Sequence, residues 1–186
     1  MELKTHFIPF PTLTTPRLLL RALRPDDLND LYIYASDPEI DRFTPWRHYT
    51  SMEEASADLD EFLKEYEQEG RGLSFGIEHR ADRRLIGIAT FSQPHPRHRR
   101  AELGYTISRL YWGHSYASEA AAEVVRFAFE EMGLVRVEAV CLPDHLASAR
   151  VLEKIGMQFE GILHSYQTWR GVPCDLKMYA IVREAG

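Results

Sequence analysis

Cysteine is scarce in this chain, and long apolar runs are absent. Two cysteines among 186 residues cannot form a disulfide framework, and they offer too few ligands for a structural zinc site. No apolar run approaches the roughly 18 residues that a membrane span needs, and residues 1–15 lack the layout of a signal peptide. We therefore expect no metal, no membrane partner and a reducing, cytoplasmic setting, with Cys141 buried in the run VRVEAVC.

Positive charge is also in deficit. Lys and Arg number 22 against 28 Asp and Glu, which gives a formal net charge of −6. This balance argues against nucleic acid as a general partner. Hydrophobic residues make up 45% of the chain, which excludes disorder, and the length predicts one domain spanning residues 1–186.

The periodicities predict a mixed α/β (α+β) domain behind an extended arm of residues 1–15. The element order is β-α-α-β-β-β-α-β-α-β-β. Strands are expected at 17–23, 73–78, 84–92, 100–107, 135–141, 158–168 and 175–182, and helices at about 24–36, 51–69, 117–132 and 146–155. Polar turns between the second, third and fourth strands predict an antiparallel meander.

The segment that joins the fourth strand to the third helix carries most of the functional information. Its sequence runs AELGYTI and then, after four residues, WGHSYASEA. A loop of small residues that enters a helix directs unpaired amides at one point, where the helix dipole also favours negative charge. Residues 113–118 therefore predict a phosphate cradle without cationic side chains, to which Ser118 can add a hydroxyl. The alternative is an ordinary tight connection capped by Ser115 or Ser118.

The strand before that loop has two different faces. One face carries Ala101, Leu103, Tyr105 and Ile107, and the other carries Glu102, Gly104 and Thr106. Glycine inside a strand often marks the close approach of a ligand or of another backbone. Glu102 therefore lies beside a gap; the alternative is a carboxylate that faces solvent or forms a salt bridge with Arg99 or Arg100.

Three segments in this order resemble the GNAT acetyltransferase superfamily, and within it the RimJ/RimL-type amino-terminal acetyltransferases. They are ELGYTI, YWGHSYASEA and HLASARVLEKIGM, and TPRLLLR and FEGIL extend the resemblance over nearly the whole chain. The resemblance implies a mostly antiparallel twisted sheet with helices on both faces. It also implies an N-acetyltransferase that uses acetyl-CoA.

The resemblance implies where acetyl-CoA binds. The pantetheine arm would lie between the strands at 100–107 and 135–141, and the pyrophosphate on the amides of 113–118. The implied cofactor-binding residues are Leu103, Tyr105, Thr106, Ile107, Trp112, Gly113, His114, Ser115, Tyr116, Ala117, Ser118, His145 and Ser148. Two of them depart from the family pattern. Ser115 occupies a position that is glycine in the family pattern, which costs about 1–2 kcal/mol of stability if the backbone there is left-handed. His145 occupies a position that is asparagine in that pattern.

The implied reaction is direct attack of a primary amine on the acetyl thioester. Glu102 is our candidate base, directly or through a water, and Ser148 is the candidate acid for the leaving thiolate. Leu152 stands where many members of the superfamily have a tyrosine acid. Asp175 is a second candidate base; alternatively, it is only a turn residue of the closing hairpin.

The acceptor is less well defined. The resemblance favours a protein N-terminal α-amine; a small-molecule amine such as a polyamine or an antibiotic, or a non-catalytic acyl-CoA-binding regulatory module, are the alternatives. Five aromatic residues line an entrance or pack in the core or a homodimer contact: Phe43, Trp46, Tyr49, Tyr166 and Trp169. A Rossmann domain is excluded, because no GxGxxG follows an early strand.

Overall fold

The computed structural model describes residues 7–66 and 73–183, which form eight strands and four α-helices. The strands are β1 Leu13–Thr14, β2 Leu18–Arg21, β3 Leu73–His79, β4 Arg84–His95, β5 Arg100–Ile107, β6 Arg136–Cys141, β7 Gln158–Trp169 and β8 Val172–Val182. The helices are α1 Leu28–Ala35, α2 Met52–Glu65, α3 Tyr116–Phe127 and α4 Leu146–Lys154. None of these helices has the length and hydropathy needed to cross a membrane.

All strands lie in one sheet, in the order β1-β2-β3-β4-β5-β6-β8-β7. Every neighbouring pair is antiparallel except β5 and β6, which are parallel. A parallel pair needs a long crossover connection, and α3 lies within it. The β5–β6 pairing covers only three positions, Arg100 with Arg136, Ala101 with Val137 and Glu102 with Glu138. Beyond Glu102 the two strands diverge.

Helices cover both faces of the sheet, as expected from the resemblance. On one face α3 buries Ala121 and Val124 against a cluster that includes Phe75, Phe91 and Leu103. A second cluster combines α1 and α2 with β4, and its members include Leu31, Tyr34, Leu59, Leu85 and Ile88. Cys141 is buried in the first cluster, as the sequence predicts.

The element boundaries differ from the predictions at several points. Residues 13–14, predicted as part of the extended arm, form strand β1, because Leu13 is buried and its backbone pairs with Leu20. Strand β4 continues to His95 through Pro94, since a register shift between Ser92 and His95 accommodates a residue without an N–H. Strand β8 begins three residues earlier than predicted, at Val172. The predicted end of the second helix, at residue 69, lies outside the described residues.

Short helical turns also replace parts of the predicted elements. Pro25–Asp27 forms a 3-10 turn before α1, and Pro38–Arg42 forms another inside the predicted aromatic loop. The predicted third helix ends as a π turn over Ala128–Met132, followed by Gly133 with φ 82°. Glycine tolerates this left-handed cap without a Cβ clash, so the predicted stop at Gly133 is confirmed.

A buried ion-pair cluster holds the end of β2 to its neighbours. Arg21 donates from both Nη atoms to Asp27 at 2.7 Å and from Nε to Glu78 at 2.6 Å. Its side chain is only 6% exposed. Removing one member of such a cluster leaves charge buried without a partner.

Substitution Arg21→Met should therefore lower the free energy of unfolding by about 3–5 kcal/mol, because two carboxylates lose their cation while the aliphatic volume stays. Urea denaturation measures the change. Arg84→Met is the control, since Arg84 pairs with Asp30 at the surface, and it should cost no more than about 1 kcal/mol. Equal losses in the two variants would contradict this account of Arg21.

Candidate active site

The divergence of β5 and β6 opens a space in the middle of the sheet. Past Glu102, residues of β5 have no strand partner on the β6 side within the described chain. A Cβ built on Gly104 would meet nothing within 4 Å. Leu103 is buried, whereas Gly104 on the opposite face is exposed, so the predicted alternation of the two faces is confirmed. The absent side chain at Gly104 therefore leaves room for a ligand.

A cavity of about 640 Å³ runs from this space to the start of α3. It is lined by most of the predicted cofactor-binding residues, namely Tyr105, Thr106, Ile107, Trp112, Gly113, Ser115, Tyr116, Ala117, Ser118, His145 and Ser148. We call it the cofactor groove. Two predicted residues lie outside it. Leu103 lines the neighbouring cavity, and the His114 ring nitrogen Nδ1 lies 2.8 Å from the carbonyl of Trp112.

Unpaired backbone amides gather at the end of the groove. The first backbone amide of α3 that makes a helical hydrogen bond is that of Glu119, which donates to the carbonyl of Ser115 at 3.0 Å. The amides of Tyr116, Ala117 and Ser118 precede it and have no acceptor in the described chain. Orphan amides at a helix start form an anion site. The geometry therefore suits a phosphate group, as the sequence predicts.

The groove also contains cations that the sequence reasoning missed. Arg150 and Lys154 line it from α4, and Lys154 donates from Nζ to Ser115 Oγ at 3.0 Å. Their spacing of four residues places them on one helix face, but only the packing of α4 shows that this face borders the groove. The predicted cradle without cationic side chains is thus wrong in this respect, because Lys154 lies at its edge.

The N-terminal segment fixes the start of α3. Glu119 accepts hydrogen bonds from Thr15 Oγ1 at 2.6 Å, from the Arg17 amide at 3.0 Å and from Arg17 Nε at 2.7 Å. The Arg17 guanidinium carbon also lies 4.4 Å from the centre of the Tyr116 ring. These contacts orient the first turn of α3, and with it the orphan amides. Sequence reasoning missed them, because they join residues about a hundred positions apart.

A second cavity, of about 550 Å³, lies on the α1–α2 side of the divergence. We call it the acceptor cavity. Its polar lining includes Glu102, Thr90, Ser92 and Asp58. Four of the five predicted entrance residues line it, Phe43, Trp46, Tyr49 and Trp169, whereas Tyr166 does not. The two cavities share six lining residues, Phe43, Thr44, Tyr105, Thr106, His145 and Ser148.

Glu102 is unpaired in this cavity. Arg100, its predicted alternative partner, donates instead to Glu138 at 2.5 Å. No side chain in the described residues donates a hydrogen bond to Glu102. Burial raises the pKa of Glu102, and the nearby Glu138 carboxylate raises it further, while Arg100 opposes the shift. A carboxylate with a raised pKa is a stronger base than an exposed one.

Ser148 lies where the two cavities meet, and its partner is Tyr105. The Tyr105 hydroxyl is 3.0 Å from Ser148 Oγ and 3.2 Å from the Ser148 carbonyl. Burial raises the pKa of Tyr105, so the phenol stays protonated. When the phenol donates to Ser148 Oγ, the serine hydroxyl hydrogen is free to point into the groove. The resemblance implied Tyr105 as a cofactor-binding residue and did not predict this contact of its hydroxyl with Ser148.

His145 is held by an aromatic stack that the sequence did not predict. Its ring lies 3.9 Å, centre to centre, from the ring of Phe43 and only 8° from parallel. Burial lowers the pKa of His145, which favours the neutral imidazole. The stack joins the loop after α1 to the start of α4 across the diverging strands.

Asp175, the second candidate base, lies outside both cavities. Its carboxylate accepts the Ser165 amide at 2.8 Å and lies 2.8 Å from His164 Nδ1. These contacts lower the pKa of Asp175, the amide hydrogen bond most. Leu152 lines the acceptor cavity, and its aliphatic side chain has no hydroxyl that could act as an acid. The geometry therefore brings Glu102 and Ser148 together and leaves Asp175 in the surface hairpin.

Several proteins of similar sequence are named as N-acetyltransferases. Residues 17–158 match the acetyltransferase (GNAT) domain family. The chain is 38% identical to the uncharacterized N-acetyltransferase YoaA of Bacillus subtilis, over 94% of this chain and 98% of that protein. It is 25% identical to the ribosomal protein uS5-alanine N-acetyltransferase of Escherichia coli, over 86% and 84% of the two chains.

Solved structures share the fold. A GNAT-family acetyltransferase from Bacillus anthracis superposes with a TM-score of 0.81 at 27% identity, over 92% of this chain and 98% of that one. RimJ of Mycobacterium smegmatis, in complex with CoA-disulfide, superposes with a TM-score of 0.79 at 24% identity, over 93% and 86%. The mostly antiparallel sheet of this chain thus has the fold of these acetyltransferases.

Ser115 has φ 64° and ψ 18°, so the residue in the glycine slot does adopt the left-handed backbone. Ser115→Gly should remove this strain, whereas Ser115→Ala should keep it; both lose the hydroxyl that Lys154 contacts. We expect the glycine variant to unfold with a free energy about 1 kcal/mol higher than the alanine variant. Thermal and urea unfolding measure the difference. An alanine variant as stable as the glycine variant would show that the backbone is not strained.

Proposed function

The chain belongs to the acetyltransferase (GNAT) family and is an N-acetyltransferase, and we propose that it acetylates a protein N-terminal α-amine with acetyl-CoA as donor. The observation that carries the proposal is the junction of the two cavities at Tyr105, Thr106 and Ser148. A thioester in the groove and an amine in the acceptor cavity would meet there. Such positioning supplies much of the rate enhancement in a two-substrate reaction.

The residues of the groove fit acetyl-CoA. The unpaired edge of β5 suits the amides of a pantetheine arm, and the orphan amides of α3 suit a pyrophosphate. Lys154 and Arg150 add positive charge at the same end of the groove. When bound, acetyl-CoA supplies an acetyl group activated as a thioester. Ser148 and Tyr105 lie at the opposite end from the phosphate cradle.

Glu102 is the proposed general base. An amine attacks only as the free base, so a proton must leave an ammonium substrate first. The unpaired carboxylate accepts that proton, directly or through a water, and its raised pKa strengthens it for this step. An α-amine, whose pKa is ordinarily about 7.7–8.0, needs less help than a lysine at about 10.4. This difference suits a site with one carboxylate base.

Ser148 is the proposed proton donor to the leaving thiolate. Its hydroxyl lies at the junction and is hydrogen-bonded to Tyr105, which holds it where it can donate its proton to the thiolate; solvent then restores the proton to the serine. Leu152 has no proton to give, so the tyrosine acid of many relatives is replaced here by this pair. The role of Tyr105 is to position Ser148.

The acceptor class rests on the relatives. One of them carries the name ribosomal protein uS5-alanine N-acetyltransferase, which supports a protein N-terminus as the acceptor. An acetyl-CoA-dependent modification of newly made proteins would take place in the cytoplasm. A small amine and a non-catalytic acyl-CoA-binding role are the alternatives, and the first experiment separates them.

The first experiment follows thiol release from acetyl-CoA with peptides that begin with Ala, Ser or Thr, and with polyamines and aminoglycosides. We expect turnover of at least one peptide and an acetylated N-terminus by mass spectrometry. Turnover of small amines alone would show that the acceptor is a small amine and not a protein N-terminus. Tight CoA binding with no turnover of any acceptor would contradict the proposal and favour the regulatory module.

The second experiment concerns Glu102→Gln, which keeps the shape of the side chain and removes the base. We expect kcat/KM to fall by about 100-fold near neutral pH, where the acceptor amine is mostly protonated. The loss should ease above about pH 8, because the free amine then predominates. Asp175→Asn is the matched control and should retain the wild-type pH profile. A Glu102→Gln variant with the wild-type profile would exclude Glu102 as the base.

A further inference from the structure

The acceptor cavity has an unusual distribution of charge. Its lining contains two carboxylates, Asp58 and Glu102, and the described residues place no Lys or Arg in it. An uncompensated pair of carboxylates repels an anionic or acidic acceptor and attracts a cation. The lining of the cofactor groove, on the other side of the divergence, contains Arg150 and Lys154 and one carboxylate, Glu39. The side-chain charge is therefore net positive around the groove and net negative around the acceptor cavity.

The walls of the acceptor cavity are aromatic. Beyond Phe43 they include Trp46, Tyr49, Phe62 and Trp169. Trp46 and Tyr49 stack with ring centres 6.2 Å apart and an interplanar angle of 28°. The faces of such rings carry negative electrostatic potential and attract ammonium groups. This wall and the two carboxylates favour the same ligand charge.

Asp58 is placed differently from Glu102. It lies on α2, at the exposed mouth of the cavity, whereas Glu102 lies half-buried at the diverging strands. The Tyr49 hydroxyl donates to Asp58 Oδ2 at 2.7 Å. Burial and this hydrogen bond raise the pKa of Tyr49, so it remains a donor. Oδ1 of Asp58 accepts no hydrogen bond from the described residues and can bind a cation.

The segments that carry Phe43, Trp46 and Trp169 also contain Arg42, Arg47 and Arg170, none of which lines the cavity. Arg42 lies 5.1 Å from the centre of the Phe43 ring, and Arg170 donates to the Asp41 carbonyl at 2.9 Å. Arg170 also lies 3.4 Å from the Asp41 carboxylate. These residues do not line the cavity, so they do not supply a cation to Asp58.

We propose that the acceptor is a dicationic amine: its reacting amine lies at Glu102, and Asp58 with the aromatic wall holds a second positive charge. The inference rests on the proposed function in taking Glu102 as the end where acetylation occurs. A linear aliphatic diamine or polyamine has this chemistry, and so does a peptide with Lys or Arg close to its N-terminus. Asp58 is then a specificity-determining residue.

Equilibrium binding tests the proposal without turnover. Trp46 and Trp169 line the cavity, so tryptophan fluorescence of the CoA-bound protein should report occupancy. We compare 1,4-diaminobutane with butylamine and with 4-amino-1-butanol, which have the same chain length and one charge. The diamine should bind about fivefold more tightly than either monoamine, the scale of one partly exposed charge contact. Equal binding of all three would overturn the proposal.

Two variants locate the second charge. Asp58→Asn should abolish the preference for the diamine, because the second positive charge then has no carboxylate to contact. Asp60→Asn removes the same charge two residues further along α2, outside the cavity lining, and should retain the preference. Thermal unfolding checks that both variants are folded. A diamine preference that survives in Asp58→Asn, or that disappears equally in Asp60→Asn, would contradict the role of Asp58.

Acetylation assays then separate the two sources of a dicationic acceptor. One arm compares spermidine and 1,4-diaminobutane with butylamine, and the other compares a peptide that begins Ala-Lys with one that begins Ala-Gln. A higher kcat/KM for the charged member in either arm, lost in Asp58→Asn, supports the inference and identifies the source. No charge preference in either arm would refute it. A binding preference without any thiol release would refute the transferase proposal and leave the cation site standing.

Discussion

The site depends on one constraint, which is that the parallel pairing of β5 and β6 stops at Glu102. Residues 100–102 of β5 pair with β6, whereas the residues of β5 after Glu102 have an unpaired backbone edge on the β6 side. The cofactor groove lies on one side of this divergence and the acceptor cavity on the other. The two cavities meet at Tyr105, Thr106 and Ser148. Because Glu102 is the last paired residue, its carboxylate has a rigid backbone and an open space beside it. A longer parallel ladder would remove both cavities.

The divergence also separates two electrostatic environments. On the groove side, orphan amides, a helix start and two cations favour anionic groups. On the acceptor side, two carboxylates and aromatic faces favour a cation. A net charge of −6 is therefore compatible with binding a polyanion, because backbone amides do not count in formal charge. The charge that matters is local, and its sign changes across the sheet.

Many of the secondary-structure elements and the alternation along β5 could be predicted from the sequence, because they depend on residues close together in the chain. The stop at Gly133 and the alternation along β5 each depend on neighbouring residues, and both are confirmed. Contacts between distant segments could not be predicted. Thr15 and Arg17 reach Glu119, and Arg150 and Lys154 border the groove, only because of how strands and helices pack. A single sequence carries no signal for such pairs.

The two departures from the family pattern are each matched by a residue on the opposite side of the site. Ser115 keeps the left-handed backbone of a glycine slot, and its hydroxyl accepts a hydrogen bond from Lys154. His145 replaces a smaller amide, and its neutral ring is covered by the parallel face of Phe43. Both departures are thus accommodated by neighbouring side chains, and the Phe43–His145 stack brings a wall residue of the acceptor cavity into contact with the cofactor groove.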